Sequence, residues 1–336
     1  MSDVILETRN LKKWFTVRAG FLSSLFSKKS DSYIRAVDGV DLEIKKGEIF
    51  GIAGESGCGK TTIARLILRL EIITEGEIWF EGEKISAMNE GKFKEYRRRI
   101  QMIFQDPYGS LSNNMTIGEI VAEPLKIHNV YASAGEIEDR VIAALEDVGL
   151  LPAEEFASRI PHELSGGQRQ RVAVAAALVL DPILLIADEP VSMLDVSMRG
   201  QILKLLLELR EKKGITLVLI THNLAVARQM SDRIAIAYLG RIVETGVTKD
   251  IINNPSHPYT KALVSVVPVP ETGVKRERLL LTGEIPSPVN IPTGCRFHTR
   301  CPFVKDKCSE EEPELRTMPD GRQVACHDEG AVEEAQ

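Results

Sequence analysis

Several features are missing from the sequence, and each absence excludes a class of protein. No apolar run approaches the roughly 20 residues that a helix needs to cross a bilayer, so we expect no transmembrane segment. Basic residues are not in excess, because the formal net charge is -6, and this balance argues against broad nucleic-acid binding. The N-terminus lacks the basic-then-apolar pattern of a secretory signal, so we expect a cytosolic protein.

Cysteine is scarce over most of the chain and clustered near its end. Of the five cysteines, only Cys58 precedes residue 251, where the composition changes. Residues 251–336 contain ten of the 16 prolines, which predicts a loop-rich C-terminal extension. The remaining thiols all lie in this extension: Cys295, Cys301, Cys308 and Cys326.

The spacing of these four thiols limits what they bind. In a cytosolic protein, clustered cysteines indicate metal or redox chemistry more than disulfides. Sets of four thiolates hold Zn²⁺ or an iron–sulfur cluster. The gaps of five, six and seventeen residues lack the paired CxxC of most zinc ribbons. The spacing therefore favours an iron–sulfur cluster over Zn²⁺, with two disulfides as the weakest alternative.

A glycine-rich loop lies between an apolar run and an amphipathic one. Its residues are Gly54, Glu55, Ser56, Gly57, Cys58, Gly59, Lys60 and Thr61, followed by Thr62. A strand, such a loop and a helix form a phosphate cradle, because glycines let backbone N–H groups turn inward and the helix N-terminus adds positive charge. The pattern predicts Lys60 on the β- and γ-phosphates and the Thr61 hydroxyl on Mg²⁺. An incidental glycine-rich turn is the alternative.

Two segments upstream of the loop have open interpretations. Trp14 and Phe15 are placed where a ring stacks on a purine base, although an aromatic residue is more often part of the core. Residues 18–33 combine an apolar run with two lysines, which fits either a partner or membrane contact or, more simply, a surface insertion.

A second candidate anion site lies at the start of another helix. Residues 169–180 have a strong helical pattern, and Leu164, Ser165, Gly166, Gly167 and Gln168 precede them. Ser165 and its glycines therefore stand at a helix N-terminus, which binds anions by the same physics as the first loop. A serine-capped helix with a tight turn is an equally good interpretation from these residues alone.

Two buried strands end in polar residues. Residues 183–187 form a continuous apolar run, as in a parallel strand, and Asp188 and Glu189 follow it. Carboxylates at this edge of an α/β sheet fit Mg²⁺ binding for Asp188 and general-base catalysis for Glu189. His222 follows the apolar residues 217–220 and fits a contact with a γ-phosphate. Helix capping for the carboxylates and a structural role for the histidine are the alternatives.

Other patterns predict the surrounding elements. Residues 117–150 read as helical, whereas residues 234–238 and 241–244 flank Leu239 and Gly240 as the strands of a hairpin.

The ordered motifs resemble the ATP-binding subunits of ABC transporters over residues 4–250. This resemblance implies an α/β P-loop ATPase with a mixed sheet core, in which a helical subdomain of about residues 90–180 is inserted into a domain of residues 1–250. It also implies that Phe15, or alternatively Trp14, stacks on adenine. Gln105 is expected to contact Mg²⁺ or the attacking water and to sense the membrane partner, and Asp195 to couple the two sites of a dimer.

In this family, each ATP is closed between two chains. The resemblance implies that the loop of residues 54–61 binds ATP in one chain. The signature residues then act on ATP bound to the partner chain: Ser165, Gly166, Gly167 and Gln168.

The C-terminal extension resembles that of oligopeptide and dipeptide permease subunits. The similar stretches are residues 254–263, residues 283–288 and the cysteine-containing tail. The resemblance implies a [4Fe–4S] cluster on the four cysteines and an ATPase that powers peptide import. An oligosaccharide importer, or a soluble ABC ATPase acting on nucleic acid or ribosomes, is the alternative.

The expected partners follow from the same resemblance. They are a related ATPase subunit, with a homodimer as the alternative, and two transmembrane permease subunits. An extracytoplasmic substrate-binding protein is an indirect partner, and no nucleic acid is expected. The chain would then lie at the cytoplasmic face of the membrane as a peripheral subunit.

Overall fold

The structure is a computed structural model that describes residues 3–17, 32–131, 133–266, 279, 281 and 283–328. Its strands are β1 (Val4–Val17), β2 (Ser32–Lys45), β3 (Ile49–Ala53), β4 (Glu75–Phe80), β5 (Glu83–Lys84), β6 (Ile100–Ile103), β7 (Leu184–Asp188), β8 (Thr216–Thr221), β9 (Arg233–Tyr238), β10 (Arg241–Val247), β11 (Arg316–Thr317) and β12 (Gln323–Val324).

The helices are interspersed among these strands. They are α1 (Lys60–Ile67), α2 (Glu90–Arg99), α3 (Pro107–Ser110), α4 (Ile117–His128), α5 (Ala134–Asp147), α6 (Ala153–Ser158), α7 (Gly166–Leu178), α8 (Val196–Lys213), α9 (Leu224–Met230), α10 (Thr248–Asn253), α11 (Pro258–Ser265) and α12 (Asp306–Glu310). Among the described helices, none combines the length and apolar character that a membrane span requires.

The chain forms two compact units. The first unit comprises Met1–Ile44, Phe50–Ala87 and Thr221–Gln336, and the second comprises Lys45–Ile49 and Met88–Ile220. The described part of the C-terminal extension thus belongs to the same unit as the glycine-rich loop. The predicted division into domains 1–250 and 251–336, with a subdomain at about 90–180, stays a prediction.

The first unit contains two groups of strands. One sheet has the order β2-β1-β4-β5, and the other strands of this unit follow the order β11-β12-β10-β9-β3. Strand β3 runs parallel to β9, and β9 pairs with β10 antiparallel through the turn at Leu239 and Gly240, as the predicted hairpin requires. Strand β3 consists of five buried residues and ends directly before the glycine-rich loop, which it therefore positions at a strand end.

The second unit combines parallel strands with a group of helices. Strands β8, β7 and β6 are adjacent and parallel, and Asp188 at the end of β7 is in register with Ile220. The residues of β7 are all buried, as the continuous apolar run predicted.

The single helical pattern over residues 117–150 proves to be two helices. Asn129 ends α4 in a left-handed conformation, and Ser133 then starts α5 with a capping box that includes Glu136. Apolar periodicity carries no information on these capping residues, so the sequence pattern predicted one helix where the structure has two. The loop predicted at residues 18–33 mostly lies outside the described residues, apart from Ser32 and Tyr33 in β2.

The C-terminal extension is attached to the first unit through β10 and an aromatic cluster. Strand β12 pairs antiparallel with β10, and Phe297 packs against Tyr238 and Tyr259 with ring centroids 5.3 and 5.5 Å away. His257 is fully buried beside these rings, and burial lowers its pKa to about 3. The extension therefore contributes to the core of this unit.

Candidate nucleotide-binding and catalytic site

The glycine-rich loop adopts a conformation that only glycine tolerates at two positions. Gly54 and Gly59 have φ angles of 154° and 104°. A Cβ at Gly54 would lie 2.2 Å from the Ala237 carbonyl oxygen, and one at Gly59 would lie 2.1 Å from that of Ala36. The loop is thus packed directly against the backbone of β9 and β2, which fixes the directions of its N–H groups.

Lys60 crosses the inside of this loop. Its buried ammonium donates hydrogen bonds of 2.8 Å to the carbonyl oxygens of Gly54 and Glu55. Thr61 and Thr62 follow in the first turn of α1 and are partly buried. The predicted lysine and hydroxyl therefore lie together at a helix N-terminus, and this arrangement fits the phosphates of a nucleotide and a Mg²⁺ ion.

Cys58 is the one thiol within the loop. Its side chain is 5% exposed, and burial raises its pKa. Its backbone carbonyl accepts a hydrogen bond of 3.0 Å from the N–H of Gly240, in the β9–β10 turn. Cys58 therefore serves to pack the loop in this structure.

Trp14 and Phe15 differ in their surroundings, because successive residues of a strand point to opposite faces. The Trp14 indole N–H donates a hydrogen bond of 2.9 Å to Asp38, and the Arg35 guanidinium lies 5.1 Å from its ring centroid. The Phe15 ring is partly buried, with the ammonium of Lys13 4.7 Å from its centroid. The Trp14 ring is thus fixed by a hydrogen bond to an acidic side chain, whereas the phenyl ring of Phe15 has no donor for such a bond.

In the second unit, the carboxylates predicted at the end of β7 have distinct environments. Asp188 is 2% exposed, whereas Glu189 is partly exposed and has a φ angle of 46°. A non-glycine residue in this left-handed region is uncommon. The Glu189 N–H donates to the Ile220 carbonyl at 2.9 Å, and its own carbonyl accepts the Ser192 hydroxyl at 3.0 Å. These contacts fix the direction of the Glu189 side chain.

Gln105 and Glu189 meet in the second unit, although 84 residues separate them. The Gln105 side-chain amide donates a hydrogen bond of 2.9 Å to the Glu189 carboxylate. The motifs of the sequence marked both residues, but no sequence pattern predicts that they contact each other. The hydrogen bond fixes the orientation of the Glu189 carboxylate, which a general base needs in order to reach its water.

The serine-led helix start is a double cap. The Ser165 hydroxyl accepts from the N–H of Gln168 at 3.3 Å, and the Gln168 side chain accepts from the N–H of Ser165 at 2.9 Å. Ser165 is exposed, so the start of α7 faces solvent. The capped-helix interpretation is therefore confirmed, whereas the anion site stays a prediction, at a helix N-terminus that is accessible.

Asp195 and His222 are the remaining predicted residues of the site. Asp195 caps α8 by accepting hydrogen bonds from the Ser197 hydroxyl and the Met198 N–H, and the Ser197 bond is the main cause of its lowered pKa. His222 is exposed, directly follows the last residue of β8 and belongs to the first unit.

Comparison with known proteins identifies the family. A family model described as ABC transporter matches residues 37–192, and another, described as the C-terminal region of oligopeptide/dipeptide transporters, matches residues 243–308. The chain is 48% identical over 328 residues to the oligopeptide transport ATP-binding protein AppF of Bacillus subtilis, with 97% of each chain covered. It belongs to the ATP-binding subunits of oligopeptide/dipeptide ABC transporters.

Other relatives agree with this assignment. The oligopeptide transport ATP-binding protein OppF of Salmonella typhimurium is 46% identical over 314 residues, which cover 93% of this chain and 92% of OppF. The fold resembles the solved dimer of the ATP-binding cassette MJ0796 in a post-hydrolysis state bound to ADP and Pi. The TM-score is 0.62 at 32% identity, covering 73% of this chain and 99% of that one. The chain is therefore an ABC-type ATPase.

The cysteine site of this ABC ATPase is not confirmed by the structure. All four thiols of the extension are free, which removes the disulfide alternative. Burial raises the pKa of Cys295 to about 12 and that of Cys301 to about 11, and neighbouring cysteines contribute to both shifts. However, within the described residues no group of three or more His, Cys, Asp or Glu side chains is arranged to hold a metal ion. The predicted iron–sulfur cluster and the Zn²⁺ alternative both lack support there.

The extension of this ABC ATPase makes several contacts with the loop and with β2 that its sequence did not predict. Tyr259 and Arg300 bind Glu55, and Arg296 binds Asp38. No local sequence pattern around an arginine between two cysteines predicts an acidic partner hundreds of residues away. The resemblance to a permease-type extension marked the segment but not these side chains.

Proposed function

We propose that this chain energises the import of oligopeptides or dipeptides through an ABC transporter. The observation that carries the proposal is its 48% identity, over 97% of both chains, to a protein named for oligopeptide transport. The family model of the oligopeptide/dipeptide transporter C-terminal region supports the same substrate class, because it matches the extension rather than the general ATPase core.

The first unit supplies the groups that hold ATP in the proposed mechanism. The loop from Gly54 to Thr61 wraps the phosphates with backbone N–H groups, and Lys60 adds a positive charge. The packing of both glycines supports this role, since it fixes the loop before the nucleotide binds. Of the two candidate rings, Phe15 is the one that stacks on the adenine in this proposal. Trp14 is less suitable because its indole N–H is already hydrogen-bonded to Asp38. His222 contacts the γ-phosphate.

The second unit supplies the groups that act on the attacking water. Glu189 orients the water and accepts its proton, while Gln105 holds the carboxylate through the 2.9 Å hydrogen bond. Oxygen atoms of Thr61, Gln105 and Asp188 are of the type that Mg²⁺ prefers, and the ion would neutralise phosphate charge. These residues are the proposed magnesium ligands.

The second anion site acts across a dimer in this proposal. Ser165, Gly166, Gly167 and Gln168 present the exposed N-terminus of α7 to ATP bound at the partner's loop. Asp195 couples the two sites. The dimeric state of the similar MJ0796 cassette supports this arrangement. A related ATPase subunit is the proposed partner, and two permease subunits hold the pair at the cytoplasmic face of the membrane.

A pair of serine variants tests this function. Ser165→Ala and Ser133→Ala each remove a helix cap of the same type, which costs roughly 0.5–2 kcal/mol of stability. In cells whose own subunit is deleted, we expect the unmodified chain and S133A to restore uptake of a labelled oligopeptide, and S165A to restore none.

The controls separate the competing substrates. Uptake of a labelled oligosaccharide but not of the peptide would contradict peptide import. Equal uptake by S165A and S133A would contradict the dimer mechanism, because both variants lose the same cap.

We also propose that Cys295, Cys301, Cys308 and Cys326 hold a [4Fe–4S] cluster. Four free thiols in one short segment, close enough for their charges to interact, support it. A cluster presents four separate irons, so its thiolates stand further apart than the ligands of one ion. Because burial keeps Cys295 and Cys301 protonated, loading releases protons.

Iron analysis of anaerobically purified protein tests the cluster. We expect about four iron atoms per chain, lost in Cys301→Ser but retained in Cys58→Ala, which removes the thiol outside the extension. Zinc in place of iron, or equal iron in both variants, would contradict this assignment.

A further inference from the structure

The C-terminal extension reaches into the phosphate loop through one arginine. The Arg300 guanidinium donates two hydrogen bonds to the Glu55 carboxylate, of 2.9 and 3.2 Å. Side-chain exposure is 7% for Arg300 and 25% for Glu55, so water screens this pair only partly. A two-pronged pair of this kind fixes both the position and the orientation of the carboxylate.

The backbone of Glu55 is held from the same side. Its N–H donates a hydrogen bond of 2.9 Å to the Tyr259 hydroxyl, which also belongs to the extension. Its carbonyl oxygen accepts a hydrogen bond from the ammonium of Lys60. Glu55 therefore links the extension to the lysine that is proposed to bind phosphate.

The groups that hold Glu55 rest on a rigid support. The Tyr238 and Tyr259 rings pack at 4.7 Å, and the Arg300 guanidinium lies 5.9 Å from the Tyr238 ring centroid. Phe297, three residues before Arg300, completes this cluster, and all three rings are at most 1% exposed. Such packing leaves Arg300 little freedom to follow a displaced loop.

A second arginine of the same segment anchors it at another point. Arg296 donates to the carbonyl of Leu239 at 2.6 Å and pairs with the buried Asp38 at 2.5 Å. The neighbouring Gly240 donates to the carbonyl of Cys58 in the loop. The segment between Cys295 and Cys301 is thus fixed to the loop through Arg300, and to β2 and the β9–β10 turn that adjoin the loop through Arg296.

The charge of Glu55 gives this contact a function. A carboxylate in a phosphate-binding loop repels the triphosphate unless a cation neutralises it. We propose that Arg300 is a positioning residue for ATP: it neutralises Glu55 and holds the loop backbone in its phosphate-binding shape. This inference rests on the proposed binding of ATP at residues 54–61.

A charge-pair cycle tests the inference. Full-length protein is titrated with a fluorescent ATP analogue, and ATP turnover is measured in parallel. For Arg300→Gln we expect the Kd to rise about tenfold, a loss of about 1.4 kcal/mol, with a matching rise in KM and little change in kcat. The double variant Glu55→Gln/Arg300→Gln should recover most of the affinity, because the unpaired negative charge is gone. For Arg300→Lys we expect a Kd between those of the unmodified protein and R300Q, because lysine keeps the positive charge but cannot make both hydrogen bonds to the carboxylate.

A matched control lies in the same extension. Lys305→Gln breaks the Lys305–Asp328 pair of 2.5 Å, which does not involve the loop, and should leave the Kd unchanged. Melting temperature and iron content are measured for every variant, so that a merely structural role is recognised. An unchanged Kd and KM in R300Q, or a double variant as weak as R300Q, would overturn the inference. Failure of the unmodified protein to bind the analogue would instead overturn the proposed function.

Discussion

Glu189→Gln is expected to abolish ATP turnover while ATP binding persists. Glu189 directly follows buried Asp188 and is held in a left-handed backbone conformation by Ile220 and Ser192. These contacts involve only the Glu189 backbone, so the direction of the side chain should be the same with glutamate or glutamine. Glutamine keeps the size and a hydrogen-bonding oxygen for Gln105 but cannot accept a proton. General-base catalysis contributes roughly 10²–10⁴-fold to a rate, so we expect a loss of that size if Glu189 has its proposed role.

Trapping of the closed dimer is the distinguishing measurement. Light scattering with ATP should show a lasting dimer for E189Q, because in the proposed mechanism closure depends on ATP binding and reopening depends on hydrolysis. Glu208→Gln, which changes a partly exposed carboxylate on α8 that pairs with Lys204, is the matched control and should retain turnover. Full turnover in E189Q would remove Glu189 from the mechanism, and a monomer with ATP would contradict ATP-driven closure.

Gly59→Ala is expected to eliminate ATP binding. A left-handed backbone costs a residue with a Cβ about 1–2 kcal/mol. At Gly59, the added Cβ would also lie 2.1 Å from the Ala36 carbonyl oxygen. Relieving such an overlap typically costs a further 1–3 kcal/mol or so. The loop must then move away from β2, which redirects the N–H groups at the start of α1.

Gly57→Ala provides the control within the same loop. Gly57 has a φ angle of 79°, but its added Cβ would meet no atom within 4 Å. G57A therefore carries the backbone strain without the collision. We expect measurable but weakened binding for G57A in a nucleotide titration, and none for G59A. Equal affinities would show that packing against β2 does not shape the loop.

Much of the fold could be predicted from local patterns. The run at residues 183–187 and the hairpin around Gly240 became β7 and the β9–β10 pair, because burial on both faces and a tight turn leave clear signals. The glycine-rich loop and the end of β7 were likewise marked by residue type and spacing.

The remaining features depend on tertiary packing. Arg300 and Glu55 are 245 residues apart, and nothing in either local sequence predicts that they pair. The same holds for Gln105 and Glu189, which were both selected but for separate reasons. The spacing of the cysteines was the weakest basis for predicting a metal site. Spacing along the chain does not determine how the four thiols are arranged in space.

The pairing of β12 with β10 has a practical consequence. Glu244 and Thr245 of β10 are in register with Val324 and Gln323, and the N–H of Ala325 donates to the Val243 carbonyl at 2.9 Å. A fragment truncated after the catalytic core would leave one side of β10 with unsatisfied backbone groups. Such open edges recruit strands from other molecules. Recombinant fragments cut near residue 250 are therefore expected to aggregate more readily than a chain that includes residue 325.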